Sequence, residues 1–432
     1  MSLDVTKPLD PRLAKAHGHA RRGEVLQAEL LYQGILADDP GCADAARAVA
    51  SLAAQREDWA RARSHYQLAL RSEPNDTETQ LELAQVLCRL DQPDAAAALL
   101  RQAVLLRPDQ PLAWLLLGDV LDLMGHSLAA TKAHYQAITR AHKLGQWLDF
   151  STVHPTLVEH VTRIMASVTA GRRAHLLQSF EATRTEFGAR SVDRVERALW
   201  GYLGEIDATP PDPRQRPKFL YVPGLPDQPY HDPMLQPWAS ALAAHWEDLR
   251  TEALDLLGEH ANFESFLGLK AGEANADYVA GSGPNPAWDA FFFYRHGKRF
   301  DANHARCPNT SALLESITLC RVKNQAPEVC FSVIRPGSRI MPHYGVTNSR
   351  LVMHLPLVVP ADCALNIIDG GEHRWREGEL MMFDDTFRHE AWNHSGQSRV
   401  ILLMDCWNPH LSAAEQQAIR QLVEAIDEFE SV

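Results

Sequence analysis

Long apolar runs are missing from this 432-residue chain. None reaches the roughly 18 apolar residues that a membrane span requires. The opening, MSLDVTKPLDPRL, has no apolar stretch of the kind a secretory signal carries, so the cytoplasm is the expected location. Paired cysteines are missing as well. Cys42, Cys88, Cys307, Cys320, Cys330, Cys363 and Cys406 are scattered and form no CxxC pair. That argues against a structural zinc site and for reduced, partly buried thiols. Basic residues are outnumbered: 42 Lys and Arg against 55 Asp and Glu give a formal net charge of −13. Such a balance disfavours nucleic acid and anionic membranes as partners. The remaining composition, 45% hydrophobic and 22% charged, is that of an ordinary globular protein long enough for two or three domains.

What the chain does have, first, is a period of 34 residues. Pro40, Pro74 and Pro108 keep this step, each after an apolar helical run. So do Ala28, Ala62, Ala96 and Ala130, and likewise Ala16, Ala50, Ala84 and Gly118. Ala69, Ala103 and Ala137 form a further series, Tyr32 and Tyr66 another. Small residues at fixed offsets let two antiparallel helices approach closely, and proline ends the second helix of each pair. The pattern resembles the tetratricopeptide repeat, with Trp114, Leu117 and Gly118 at its aromatic, leucine and glycine positions. A helical solenoid is therefore expected over residues 9–145, with a concave face that typically binds a peptide or protein partner. Residues 146–208 keep helical periodicity without the repeat signature and are expected to cap or bridge. TPPDPRQRP (209–217) has the composition of a linker.

The texture then changes. After a helix-like stretch, Pro237–Leu257, short β runs are expected from about Val329: VCFSVIR, RLVMHLPLVV, CALNIID, ELMMF and SRVILLMDCW, separated by turn residues. This spacing predicts an antiparallel jelly roll, or double-stranded β-helix, over residues 218–432. The segment from Leu411 to Val432 reads as an amphipathic helix packed outside it.

Two histidines stand out among twenty. His343 ends a strand-like stretch in IMPHYGVTN, and His389 enters another in MMFDDTFRHEAWN. Side chains of neighbouring barrel strands meet in one mouth, where two imidazoles suit a borderline metal such as Fe(II). Arg399, ten residues beyond His389, is placed to meet a dicarboxylate with a bidentate salt bridge. The usual facial triad carries a carboxylate two residues after its first histidine. Gly345 occupies that position, leaving either water or an aspartate of the FDD turn, Asp384 or Asp385, as the third ligand.

The stretches CFSVIRPGSRIMPHYGVTNSRLVMHLPLVVP, WREGELMMFDDTFRHEAWN and SRVILLMDCWNPHLS resemble the aspartyl/asparaginyl β-hydroxylase family, with weaker similarity from FLYVPGLPDQPYHD onward. In that family two histidines hold iron and a glycine stands where the carboxylate is absent. The resemblance implies His343 and His389 as metal ligands. It implies Ser332, His354 and Arg399 as the pocket for the co-substrate 2-oxoglutarate, with Arg399 on its distal carboxylate. Arg350 matches a family arginine expected to orient substrate, whereas the next, two positions on, is Val352 here. Asp385 matches an acidic residue beside the metal, expected to order a bound water or His389. The implied activity is an Fe(II)-, O₂- and 2-oxoglutarate-dependent hydroxylation of an Asp, Asn or related side chain of a peptide or protein. Hydroxylation of a small molecule (a free amino acid, a peptide natural product or an acyl chain) is the alternative within the same fold. A repeat-based interaction protein with a relic barrel is the third reading.

Overall fold

Eight helices, Pro11–Arg21, Val25–Asp38, Ala43–Gln55, Trp59–Ser72, Thr77–Arg89, Pro93–Leu106, Pro111–Leu123 and Ser127–Lys143, form four antiparallel pairs. The period of 34 has a direct physical meaning in them. Pro40, Pro74 and Pro108 each stand two residues past the end of a second helix, where a missing N–H costs nothing. The alanine series and both tyrosines are buried, with Ala28, Ala62 and Ala96 fully so. At Ala130's helix the stack continues: Trp114, Leu117, Ala130 and Ala137 share one core, and the Trp114 indole N–H donates to the carbonyl of Pro108.

The computed structural model describes residues 10–259, 263–268, 278–281 and 287–431. It separates into one unit that runs to Ala174 and includes 429–432, and another of residues 175–428. The division falls inside the expected bridging segment. Val161 and Ile164 of helix Val158–Gln178 belong to the repeat core, whereas Leu176 and Phe180 belong to a core with Val195, Leu199, Leu220, Ile419 and Leu422. The stretch 209–217, composed like a linker, is in fact held to the second unit. Gln215 is buried and donates to the Asp384 carboxylate at 2.8 Å, and the Arg216 amide donates to the carbonyl of Thr386.

Nine strands matter for the second unit: β1 Trp288–Arg295, β2 Val329–Ile334, β3 Ser338–His343, β4 Arg350–Val358, β5 Cys363–Ile367, β6 Gly371–His373, β7 Met381–Phe383, β8 His389–Asn393 and β9 Arg399–Trp407. One antiparallel sheet runs β7-β4-β9-β2-β1; the other runs β6-β5-β8-β3. The chain crosses between sheets at almost every step from β2 to β9, which is the expected jelly roll. Strands also precede Val329, contrary to expectation: Tyr230–His231, Glu264–Ser265, Val279–Gly281, β1 and Lys298–Arg299. WDAFFFYR of β1 lacks the polar–apolar alternation of a half-exposed strand because it is covered on both faces. Phe291 and Phe293 pack toward helices, Ala290 and Phe292 toward the second sheet.

The same two-sided burial organises β9, where all nine residues are buried. Val400, Leu402, Met404 and Cys406 face a core shared with helix Trp246–Gly258. Ile401 and Leu403 face the space between the sheets. Because side chains alternate along a strand, Arg399 and Asp405 fall on that interior face too. The C-terminal helix, Ala413–Glu430, covers the barrel through Ala418, Ile419 and Leu422, as expected. No helix among the described residues is long and apolar enough to cross a membrane.

Gly118 tests the repeat packing. A Cβ there would overlap the buried His134 ring. Gly118→Ala is expected to lower stability by about 1–3 kcal/mol, as overpacked cores do, read by urea unfolding.

Candidate active site

A cavity of about 180 Å³ opens between the sheets, lined by residues of both. It is built in layers along β9 and its neighbours. Arg399 lies at one end, near Ser332 of β2; Ile401, Leu403 and Val352 form an apolar middle; Asp405, Glu328 and Arg350 make a second polar end.

His343 and His389 are brought together by register. They are paired residues of β3 and β8, with ring centroids 4.2 Å apart. His343 Nδ1 lies 2.8 Å from the carbonyl of Met341, and His389 Nδ1 lies 2.9 Å from that of Phe387. A carbonyl only accepts, so in both rings Nδ1 carries the proton and Nε2 keeps its lone pair. Burial favours the neutral form of both imidazoles. Burial lowers the pKa of His343, and burial followed by the neighbouring His343 pushes that of His389 down to about 3. Two fixed, unprotonated ring nitrogens in one mouth are a donor set suited to a divalent transition metal.

The acidic residues of the turn have separate tasks. Asp384 accepts from the Thr386 amide and hydroxyl and from Gln215, so both its oxygens are engaged in locking the turn. Asp385 is buried beside Gly345, and a Cβ on Gly345 would overlap its carboxylate. The space that a side chain at 345 would use is thus filled by a carboxylate from the turn before β8. Its Oδ2 lies 3.6 Å from Arg350, while Oδ1 has no partner. Burial raises its pKa to about 7 against the pull of Arg350. Among the described residues, no third His, Cys, Asp or Glu joins the two histidines in a metal-holding group.

Arg399 is the other notable group. Its side chain is 1% exposed, yet no carboxylate pairs with it among the described residues. One terminal nitrogen donates to the carbonyl of Ser332 at 3.3 Å, and Nε has no partner. Burial without a counter-ion pushes its pKa down to about 9. His354 is buried nearby, with its pKa held well below the usual range by burial and then by Arg399. The Ser332 hydroxyl accepts the Trp288 indole N–H at 2.9 Å, so its own proton is free to point elsewhere. A buried guanidinium short of an anion, flanked by a hydroxyl and an imidazole, is a cradle for a carboxylate.

Arg350 reaches the cavity but is engaged there. It pairs with Asp405 as well as Asp385, and these carboxylates hold its pKa above the usual arginine range despite burial. Glu328, whose pKa burial lifts to about 7, completes this polar end. Sequence reasoning did not find Asp405, Glu328 or Trp288. The signal for Asp405 was present: an acid inside the otherwise apolar run VILLMDCW.

Comparison with known proteins places the chain among hydroxylase-family and tetratricopeptide-repeat proteins. Residues 243–409 match the family model described as aspartyl/asparaginyl beta-hydroxylase, and residues 13–77 and 53–120 match tetratricopeptide-repeat models. Aspartate beta-hydroxylase domain-containing protein 2 of Mus musculus is 33% identical over 257 residues, covering 57% of this chain and 68% of that protein. Aspartyl/asparaginyl beta-hydroxylase of Mus musculus is 33% identical over 135 residues, 31% of this chain and 18% of that protein. Ornithine lipid ester-linked acyl 2-hydroxylase of Rhizobium tropici is 29% identical over 192 residues, 44% of this chain and 64% of that protein.

The Gly345–Asp385 contact is testable without activity. Gly345→Ala alone is expected to cost about 1–3 kcal/mol from overpacking. In the Gly345→Ala, Asp385→Ala double variant the two costs should fail to add, leaving a coupling of about 1 kcal/mol or more in urea unfolding.

Proposed function

We propose that this chain, which belongs to the aspartyl/asparaginyl β-hydroxylase family, is a hydroxylase that depends on Fe(II), 2-oxoglutarate and O₂. The observation that carries the reading is the pairing of two adjacent imidazoles, each with Nε2 left as acceptor, with a buried guanidinium that lacks a counter-ion in the same cavity. His343 and His389 would hold the metal, whose bound chemistry is the oxidative decarboxylation of 2-oxoglutarate coupled to C–H hydroxylation.

The chain's own residues supply position. Arg399 binds the distal carboxylate of the keto-diacid, and the Ser332 hydroxyl donates to the same anion. The apolar layer of Phe383, Ile401, Leu403 and Val352 excludes water from the reacting centre. Asp385 would accept a hydrogen bond from a water beside the metal through its unpartnered Oδ1, and Arg350 holds Asp385 in place.

The first substrate reading is a β-carbon of an Asp, Asn or related side chain in a peptide or protein, supported by the family model's description and by a repeat module suited to recruiting such a chain. The second is an acyl chain. It is favoured by the acyl 2-hydroxylase relative, by apolar Val352 in the cavity wall, and by Arg350 being already paired with two carboxylates. A search for a +16 Da product across peptides and acylated amines separates the two.

His343→Ala should lower 2-oxoglutarate conversion to succinate, assayed with Fe(II) and ascorbate, by more than the ~10–100-fold typical of changes to a ligand's supporting partners. Normal turnover would remove His343 from the site. Arg399→Met should lose turnover likewise while keeping or raising the melting temperature, because it removes a buried charge that lacks a counter-ion.

A further inference from the structure

The co-substrate residues leave one question open, namely what makes every group around that carboxylate a donor. His354 is the ambiguous member, since a neutral imidazole presents either N–H or a lone pair depending on its tautomer. Trp375 resolves it. Its indole N–H lies 3.3 Å from His354 Nδ1. An indole only donates, so Nδ1 accepts and the proton of the neutral ring sits on Nε2. The same indole lies under Arg399, whose Cζ is 4.6 Å from the ring centroid. Trp375 is 4% exposed and stands behind both residues, outside the wall of the cavity.

We infer that Trp375 is a positioning residue for the co-substrate pocket, setting the His354 tautomer and the guanidinium plane of Arg399 with one side chain, so that both face a carboxylate as donors. The inference rests on the 2-oxoglutarate reading for the identity of the anion. The two contacts themselves do not depend on it. Without the indole N–H, His354 divides between tautomers, and one of them turns a lone pair toward an anion. Without the π face, the guanidinium loses the contact that replaces part of its lost hydration.

The test uses the full chain, metal-free for NMR, with Mn(II) and 2-oxoglutarate for calorimetry, and with Fe(II) and ascorbate for turnover. Trp375→Phe keeps the π face and loses the N–H; Trp375→Leu loses both. Nitrogen NMR of the histidine side chains should show one His354 tautomer in the wild type and a mixture in Trp375→Phe. Calorimetry should show 2-oxoglutarate binding weakened about tenfold in Trp375→Phe and about a hundredfold in Trp375→Leu, from the loss of one and then two contacts. At saturating co-substrate, turnover by Trp375→Phe should stay within about threefold of wild type, with the loss in KM. An unchanged tautomer and unchanged affinity in a folded Trp375→Phe would overturn the proposal. Wild-type protein that binds Mn(II) but no 2-oxoglutarate would overturn the co-substrate reading instead, with the tautomer comparison still deciding the role of Trp375.

Discussion

A positive charge buried without a negative one is the constraint around which the second unit is arranged. Arg399 sits on the interior face of a strand whose other face is wholly apolar. Removing a guanidinium from water costs several kcal/mol unless paired, and here the compensation from the protein is partial: one carbonyl and one indole face. The cost is tolerated because β9 is fixed on both sides, by β4 and β2, over most of its length. The fold holds the charge in place, and in the reading proposed above an anionic ligand completes it.

The opposite end of the same strand shows the contrasting solution. Asp405 is equally buried but fully engaged, by Arg350 and by the Glu328 amide at 2.8 Å. One end of the cavity is thus electrostatically satisfied by the protein, the other is not. That asymmetry gives the cavity a direction: in the reading proposed above, the unsatisfied end takes the co-substrate.

Much of this was legible from residues alone where a pattern has a period. The 34-residue step located helix ends and buried alanines because close helix approach tolerates only small side chains at those offsets. His343, His389 and Arg399 were legible through motif resemblance and fell into one cavity. Strand β1 was not legible, since burial on both faces erases alternation. Nor was the attachment of 209–217, because Gln215 contacts a residue 169 positions away. Trp288 and Trp375 were invisible for the same reason: their partners Ser332 and His354 are reached across strands, and no local spacing encodes those contacts.

The occupation of Gly345's side-chain space by Asp385 bears on how such a site changes over generations. An acidic residue at 345 is a single nucleotide change from glycine, yet its side chain would meet the buried Asp385 carboxyl already there. Shrinking 385 first would strand Arg350 with one partner fewer. Either order passes through a poorer protein, so positions 345 and 385 are tied together and single substitutions do not readily separate them.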